Sequence, residues 1–235
     1  MEAKLSDLVE RLQKAHQDEL LSVILYGSAA AGDHHDKYSD LNVLCVLKEV
    51  NPEALAASEP VMNWWRAKGN PSPLLLTEQE VLTSTDCFPI EFHDMQERRR
   101  VLFGKDIIAS LTIDESFYRA QVEHELRAKQ LRLRQKGAGL LTDPQALLRL
   151  MADSVSTFLV LGRHALLLGG ISIDWKKREV ARKLAEVGVD PGPFVTLLDL
   201  REQTIGELQV EPRPLFGEYL KCIAVLVSYV DRLEK

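Results

Sequence analysis

The sequence predicts an α/β domain with a small mixed sheet over residues 1–112 and an all-α helical bundle over residues 113–235. Three observations carry this. A nearly continuous apolar run at 22–26 breaks at Gly27, and a polar loop then leads into a second apolar run at 41–47, the pattern of buried strands joined across a sharp turn. Past Gly104 no strand pattern competes with helical spacing, and the apolar segments are parted by Gly137-Ala138-Gly139, Gly169-Gly170, Gly188 and Glu211-Pro212-Arg213-Pro214. The chain, 235 residues with 46% hydrophobic and 27% charged, can bury about 70–75% of its unfolded surface, as a soluble globular protein does.

The elements follow in order. Leu5, Leu8, Val9, Leu12 and Ala15 place an amphipathic helix over 3–19, starting near Ser6 or Asp7. Residues 22–26 read as a central strand covered on both faces, Ala29, Ala30 and Ala31 as part of a helix packed close to the sheet, and 33–39 as an exposed loop. The second strand spans 41–47. Asn51-Pro52 opens a helix to Ala67 whose Trp64-Trp65 pair splits, one ring into the core and one partly exposed, and Gly69-Asn70-Pro71-Ser72-Pro73 breaks it. Residues 74–76 read as a strand, Thr77-Glu78-Gln79-Glu80 as a capped helical turn, and 88–93 as the last strand, where Pro89 favours an edge or the strand's beginning. Helices are expected over 115–136, 143–168, 174–187, 192–208 and 214–234.

Charge and cysteine usage narrow the function classes. A net charge of −6 and a pI near 5.6 argue against broad affinity for nucleic acid or an anionic membrane. Arg98-Arg99-Arg100 reads as a surface run, because no aromatic residues interleave it. There is no apolar run of eighteen residues, and Met1-Glu2-Ala3-Lys4 has no signal-peptide character, so the expected compartment is the cytoplasm. The three cysteines, Cys45, Cys87 and Cys222, are scattered and read as reduced thiols.

The chemistry concentrates in Leu25-Tyr26-Gly27-Ser28-Ala29-Ala30-Ala31-Gly32 and the Ser39-Asp40-Leu41-Asn42 that follows. A glycine turn after a buried strand, leading into a helix N-terminus, gathers backbone N–H groups able to hold a phosphate. An acid at the head of the next strand can hold the magnesium that accompanies a triphosphate. His34-His35, between Asp33 and Asp36, reads as a solvated loop, since adjacent histidines rarely share one ion.

On these residues the chain resembles the nucleotidyltransferase superfamily, the DNA polymerase beta-like group that includes minimal nucleotidyltransferases and aminoglycoside adenylyltransferases. Its pattern is a strand, Gly-Ser, about a dozen residues, then Asp-x-Asp on the next strand and a third carboxylate on a later one. Gly27, Ser28 and Asp40 match; the second acid is replaced by Asn42. The resemblance implies that Gly27 and Ser28 lie under the phosphates, that Asp40, Asn42 and Glu91 form the metal site, and that Asp40 and Glu91 are catalytic. Glu91 would bind metal or take the acceptor's proton; Asp94, on the opposite face of a strand, is its rival. The helical domain would offer Lys129 and Arg132 to the phosphates, from a basic stripe shared with Lys136.

The implied activity is Mg²⁺- or Mn²⁺-dependent transfer of a nucleoside monophosphate from an NTP, ATP first, to a hydroxyl of a small molecule or protein. Asn42 puts two-metal catalysis in question. Two dications ~3.5–4 Å apart repel by on the order of 18 kcal/mol at an effective dielectric near 20, before phosphates and ligands offset it. A missing carboxylate therefore harms a two-ion site more than a single Mg–triphosphate complex. The alternatives are a nucleotide-binding sensor or scaffold that does not turn over, and a toxin–antitoxin partner. A homodimer or a small helical protein is the expected macromolecular partner.

Overall fold

The computed structural model describes residues 1–27, 29–30, 41–206 and 209–233. The chain divides into two compact units, Met1–Ser116 and Phe117–Lys235.

The first unit is built on a four-stranded mixed sheet of order β3-β2-β1-β4. β1 (Leu20–Tyr26) is antiparallel to both neighbours, β2 (Asn42–Leu47) and β4 (Arg99–Gly104), and β3 (Leu74–Thr77) runs parallel to β2. The apolar runs are continuous because both faces are covered. Val23, Leu25, Val43, Cys45 and Leu47 pack with Leu5, Leu8 and Leu12 of α1 (Glu2–His16) and with Val61 and Trp65 of α2 (Pro52–Ala67). Ile24, Leu44 and Val46 face the other way, toward Val81 of α3 (Glu78–Thr83), Phe92 and Met95 of α4 (Pro89–Glu97), and Ile107, Ile108 and Leu111.

Local chemistry sets the helix starts. The Asn51 side chain accepts from the Ala54 N–H at 2.8 Å, with Pro52 in the first turn, where its missing N–H costs nothing. Thr77 and Glu80 form the expected capping box: Thr77 Oγ1 accepts from the Glu80 N–H, and the Glu80 carboxylate from the Thr77 N–H. The tryptophan pair splits as expected, Trp65 fully buried and Trp64 half-buried beneath the Arg11 guanidinium.

Several expectations fail; the helices expected over 174–187 and 192–208 are shorter, at Lys177–Lys183 and Gly192–Arg201. Residues 88–93 are not a strand: Pro89–Glu97 is a helix, with Pro89, Phe92 and Met95 buried three apart on its inner side. A segment this short fits either period, and Pro89 suits the first helical turn as well as a strand's beginning. The fourth strand is instead Arg99–Gly104, so two residues of the supposed surface run open a sheet edge. Arg99 pairs with Asp106 at 2.8 Å and Arg100 with Glu2 at 3.0 Å. Ala29 and Ala30 stand in a turn; Ala31 lies outside the described residues.

The second unit is helical: α5 (Tyr118–Ala138), α6 (Pro144–Leu168), α7 (Lys177–Lys183) running into a 3₁₀ turn (Leu184–Val187), α8 (Gly192–Arg201) and α9 (Pro212–Arg232). Among the described residues α6 is the one helix long and apolar enough to cross a bilayer. Its apolar side chains, among them Leu147, Met151, Val155, Phe158 and Leu166, are buried inside the unit. Arg163 and His164 are buried with them, and the Trp175 ring lies 3.8 Å from the Arg163 guanidinium. Arg163 donates to His164 Nε2 at 3.3 Å, so Nε2 is an acceptor and Nδ1 carries the hydrogen, which it donates to Tyr118 Oη at 2.5 Å.

Candidate functional site

The site is built at the end of the central strand. β1 stops at Tyr26, which lies opposite Asn42 of β2 on one side and Arg99 of β4 on the other. Gly27 follows with φ +78°, a left-handed conformation that side chains with a Cβ resist. Its N–H donates to the Arg98 carbonyl at 3.0 Å, and its carbonyl accepts from the Ala30 N–H at 3.1 Å. The chain is thus fastened on one side to the end of α4 and on the other to its own turn.

Asn42 stands beside this turn. It lies two and four residues before Leu44 and Val46, so strand alternation places it on the sheet face that α4 covers. Its side chain is half-buried, and a Cβ added to Gly27 would come 3.4 Å from Asn42 Nδ2. The structure therefore brings Gly27 and Asn42 together.

The helical state of α4 changes the reading of its acids. On a strand Glu91 and Asp94 would face opposite ways; three apart on a helix, they share a side. His93, between them in the chain, turns its Nε2 to within 3.5 Å of Glu115 Oε1. Burial first, then the Glu91 and Asp94 carboxylates, push the Tyr26 phenol from 10.0 up to about 12. Both acids thus act on the end of β1, immediately before the Gly27 turn. Sequence reading missed Tyr26 in this role. The signal available was its place directly ahead of the glycine, the last side chain β1 turns toward the α4 face.

This arrangement has a measurable consequence. The folded chain favours the neutral Tyr26 phenol, so the stability it lends is complete below pH 10 and is lost as pH rises through about 12. The phenolate absorbance of the wild type, less that of Tyr26→Phe, is expected to give a midpoint near 12, moving back toward 10 in Glu91→Gln and in Asp94→Asn. A wild-type midpoint at 10.0 would contradict the burial of Tyr26, and a midpoint that neither variant moves would contradict the placement of the two acids.

Ser28 and Asp40 lie outside the described residues, as do Asp33, His34, His35 and Asp36. Among the described residues no three His, Cys, Asp or Glu side chains gather as a metal centre. Lys129 and Arg132 belong to the helical unit and are exposed on α5, whose inner side is Val122, Leu126, Gln130 and Leu133. Lys129 Nζ lies 3.2 Å from Glu125 Oε2.

The small mixed sheet and the helical C-terminal region match the fold of a solved nucleotidyltransferase. The similarity extends over whole chains: 98% of this chain and 99% of spectinomycin adenyltransferase AAD(9) from Enterococcus faecialis, a crystal structure with ATP and spectinomycin, superimpose with a TM-score of 0.61 at 15% identity. Two toxin–antitoxin structures align more weakly, each at a TM-score of 0.30 over 43% of this chain. One contains AMP-PNP (15% identity, 73% of that chain); the other is an MntA-HpeT mutant, D39ED41E (13% identity, 74% of that chain). No protein-family model matches the sequence, and no curated protein matches it significantly.

Proposed function

We propose that the protein transfers a nucleoside monophosphate from an NTP, ATP in the first instance, to a hydroxyl of a small molecule or protein. The observation that carries the reading is the juxtaposition of Gly27 and Asn42 at the end of the central strand, on the face where α4 carries Glu91 and Asp94. The fold shared with AAD(9), whose crystal structure holds ATP and spectinomycin, supports it.

In this reading Gly27 and Ser28 cradle the triphosphate. The acceptor oxygen forms a bond to the α-phosphorus, the bond from that phosphorus to the α–β bridging oxygen breaks, and pyrophosphate leaves. Glu91 or Asp94 takes the hydroxyl proton; sharing a helix side, they can divide that work with charge balancing. Asp40, Asn42 Oδ1 and Glu91 are hard oxygen donors of the kind Mg²⁺ or Mn²⁺ takes, and would hold the ion. When bound, that ion neutralises charge on the triphosphate. An ATP substrate fits a cytoplasmic protein.

The test incubates the protein with α-labelled NTPs, Mg²⁺ or Mn²⁺ and a library of hydroxyl acceptors. Label moving from ATP to an acceptor supports transfer. Binding of ATP without transfer under any condition supports the second reading, a nucleotide sensor, which the amide at position 42 favours. Absence of both binding and transfer removes the site assignment.

A further inference from the structure

We propose that Asn42 binds the nucleotide's phosphates directly, its amide nitrogen donating to a phosphate oxygen at the Gly27 turn, so that the site works with one divalent ion. The proposal rests on the nucleotide-binding reading above and gives position 42 a role that an acid could not fill.

The geometry puts the Asn42 amide group against the turn. Of the Asn42 side chain, Nδ2 is the atom that lies against Gly27, 3.4 Å from where a Cβ would stand. Gly27 leaves that space open because it has no side chain, and its φ of +78° holds the turn so that the space persists. The Tyr26–Asn42 pairing and the Gly27 N–H bond to Arg98 hold the strand head and the turn in register. An amide at this position is both donor and acceptor, whereas an ionised carboxylate of the same size only accepts. A carboxylate facing the turn would meet phosphate oxygens of its own sign and need a cation between them. The amide needs none, and it leaves its oxygen for the ion that Asp40 would share. Position 42 then supplies a hydrogen bond to an anion in place of charge for a second metal.

The experiment titrates α,β-methylene-ATP, which cannot undergo transfer, into wild type, Asn42→Asp and Asn42→Ala by calorimetry, first in EDTA and then over a Mg²⁺ series. Circular dichroism establishes that each variant is folded. Wild type is expected to bind the analogue in EDTA, and both variants to bind it about ten- to a hundredfold more weakly, the loss of one hydrogen bond to a charged partner. Excess Mg²⁺ is expected to restore Asn42→Asp, with a steeper Mg²⁺ dependence than wild type, and to leave Asn42→Ala weak. Equal metal-free affinity in wild type and Asn42→Asp overturns the role given to the amide while leaving the nucleotide site standing. Failure of the wild type to bind the analogue in EDTA and at every Mg²⁺ level removes the nucleotide site itself, and this proposal with it.

Discussion

Asp40→Ala is expected to lower transfer of label from ATP by about 10²–10⁴-fold, with thermal unfolding little changed. With asparagine at 42, Asp40 is the one carboxylate left in the Asp-x-Asp pattern. The charge it would hold in place offsets several kcal/mol of repulsion on the triphosphate, and each ~1.4 kcal/mol is a factor of ten in rate. Asp33 and Asp36 lie in the same loop region of the sequence, so Asp33→Asn/Asp36→Asn is the companion variant. Transfer that survives Asp40→Ala and falls in the companion would move the metal site into that loop.

Trp65→Ala is expected to destabilise the N-terminal unit by about 3–5 kcal/mol, a large part of the 5–15 kcal/mol that holds a typical domain folded. Trp65 is fully buried, in the cluster where Leu5, Leu8 and Leu12 of α1 meet Val23, Leu25, Val43 and Cys45 of the sheet. Truncation removes the largest side chain of that layer and leaves a cavity that a two-faced sheet closes poorly. Trp64, half-buried under Arg11, cannot rotate in to replace it without exposing its own apolar face. Thermal unfolding followed by circular dichroism measures the loss. A change under about 1 kcal/mol would mean that Trp65 is not the centre of this core.

How much of this was legible depended on the length and completeness of each pattern. α5, α6 and α9 carry about six to seven turns between glycines and prolines and follow from periodicity, whereas α7 and α8 are shorter than the expected 174–187 and 192–208. The glycine turn at the end of β1 was legible as a break between two apolar runs. The partnership of Glu91 with Asp94 was not: in nine residues, Ile90 and Phe92 alternate like a strand while Phe92 and Met95 repeat like a helix.

Residue order by itself therefore determined the strand–glycine–strand unit and the change to an all-helical second half. Only the tertiary structure decided the states of α4 and β4. Ile24, Leu44 and Val46 leave one face of the sheet to be covered, and a helix presenting Phe92 and Met95 covers it. The backbone of β1 carries N–H and C=O groups along both edges, buried too deeply for water to reach, and β2 can satisfy only one edge. Arg99–Gly104 takes the other, its arginines tolerated because β4 ends the sheet and finds Asp106 and Glu2 beside it.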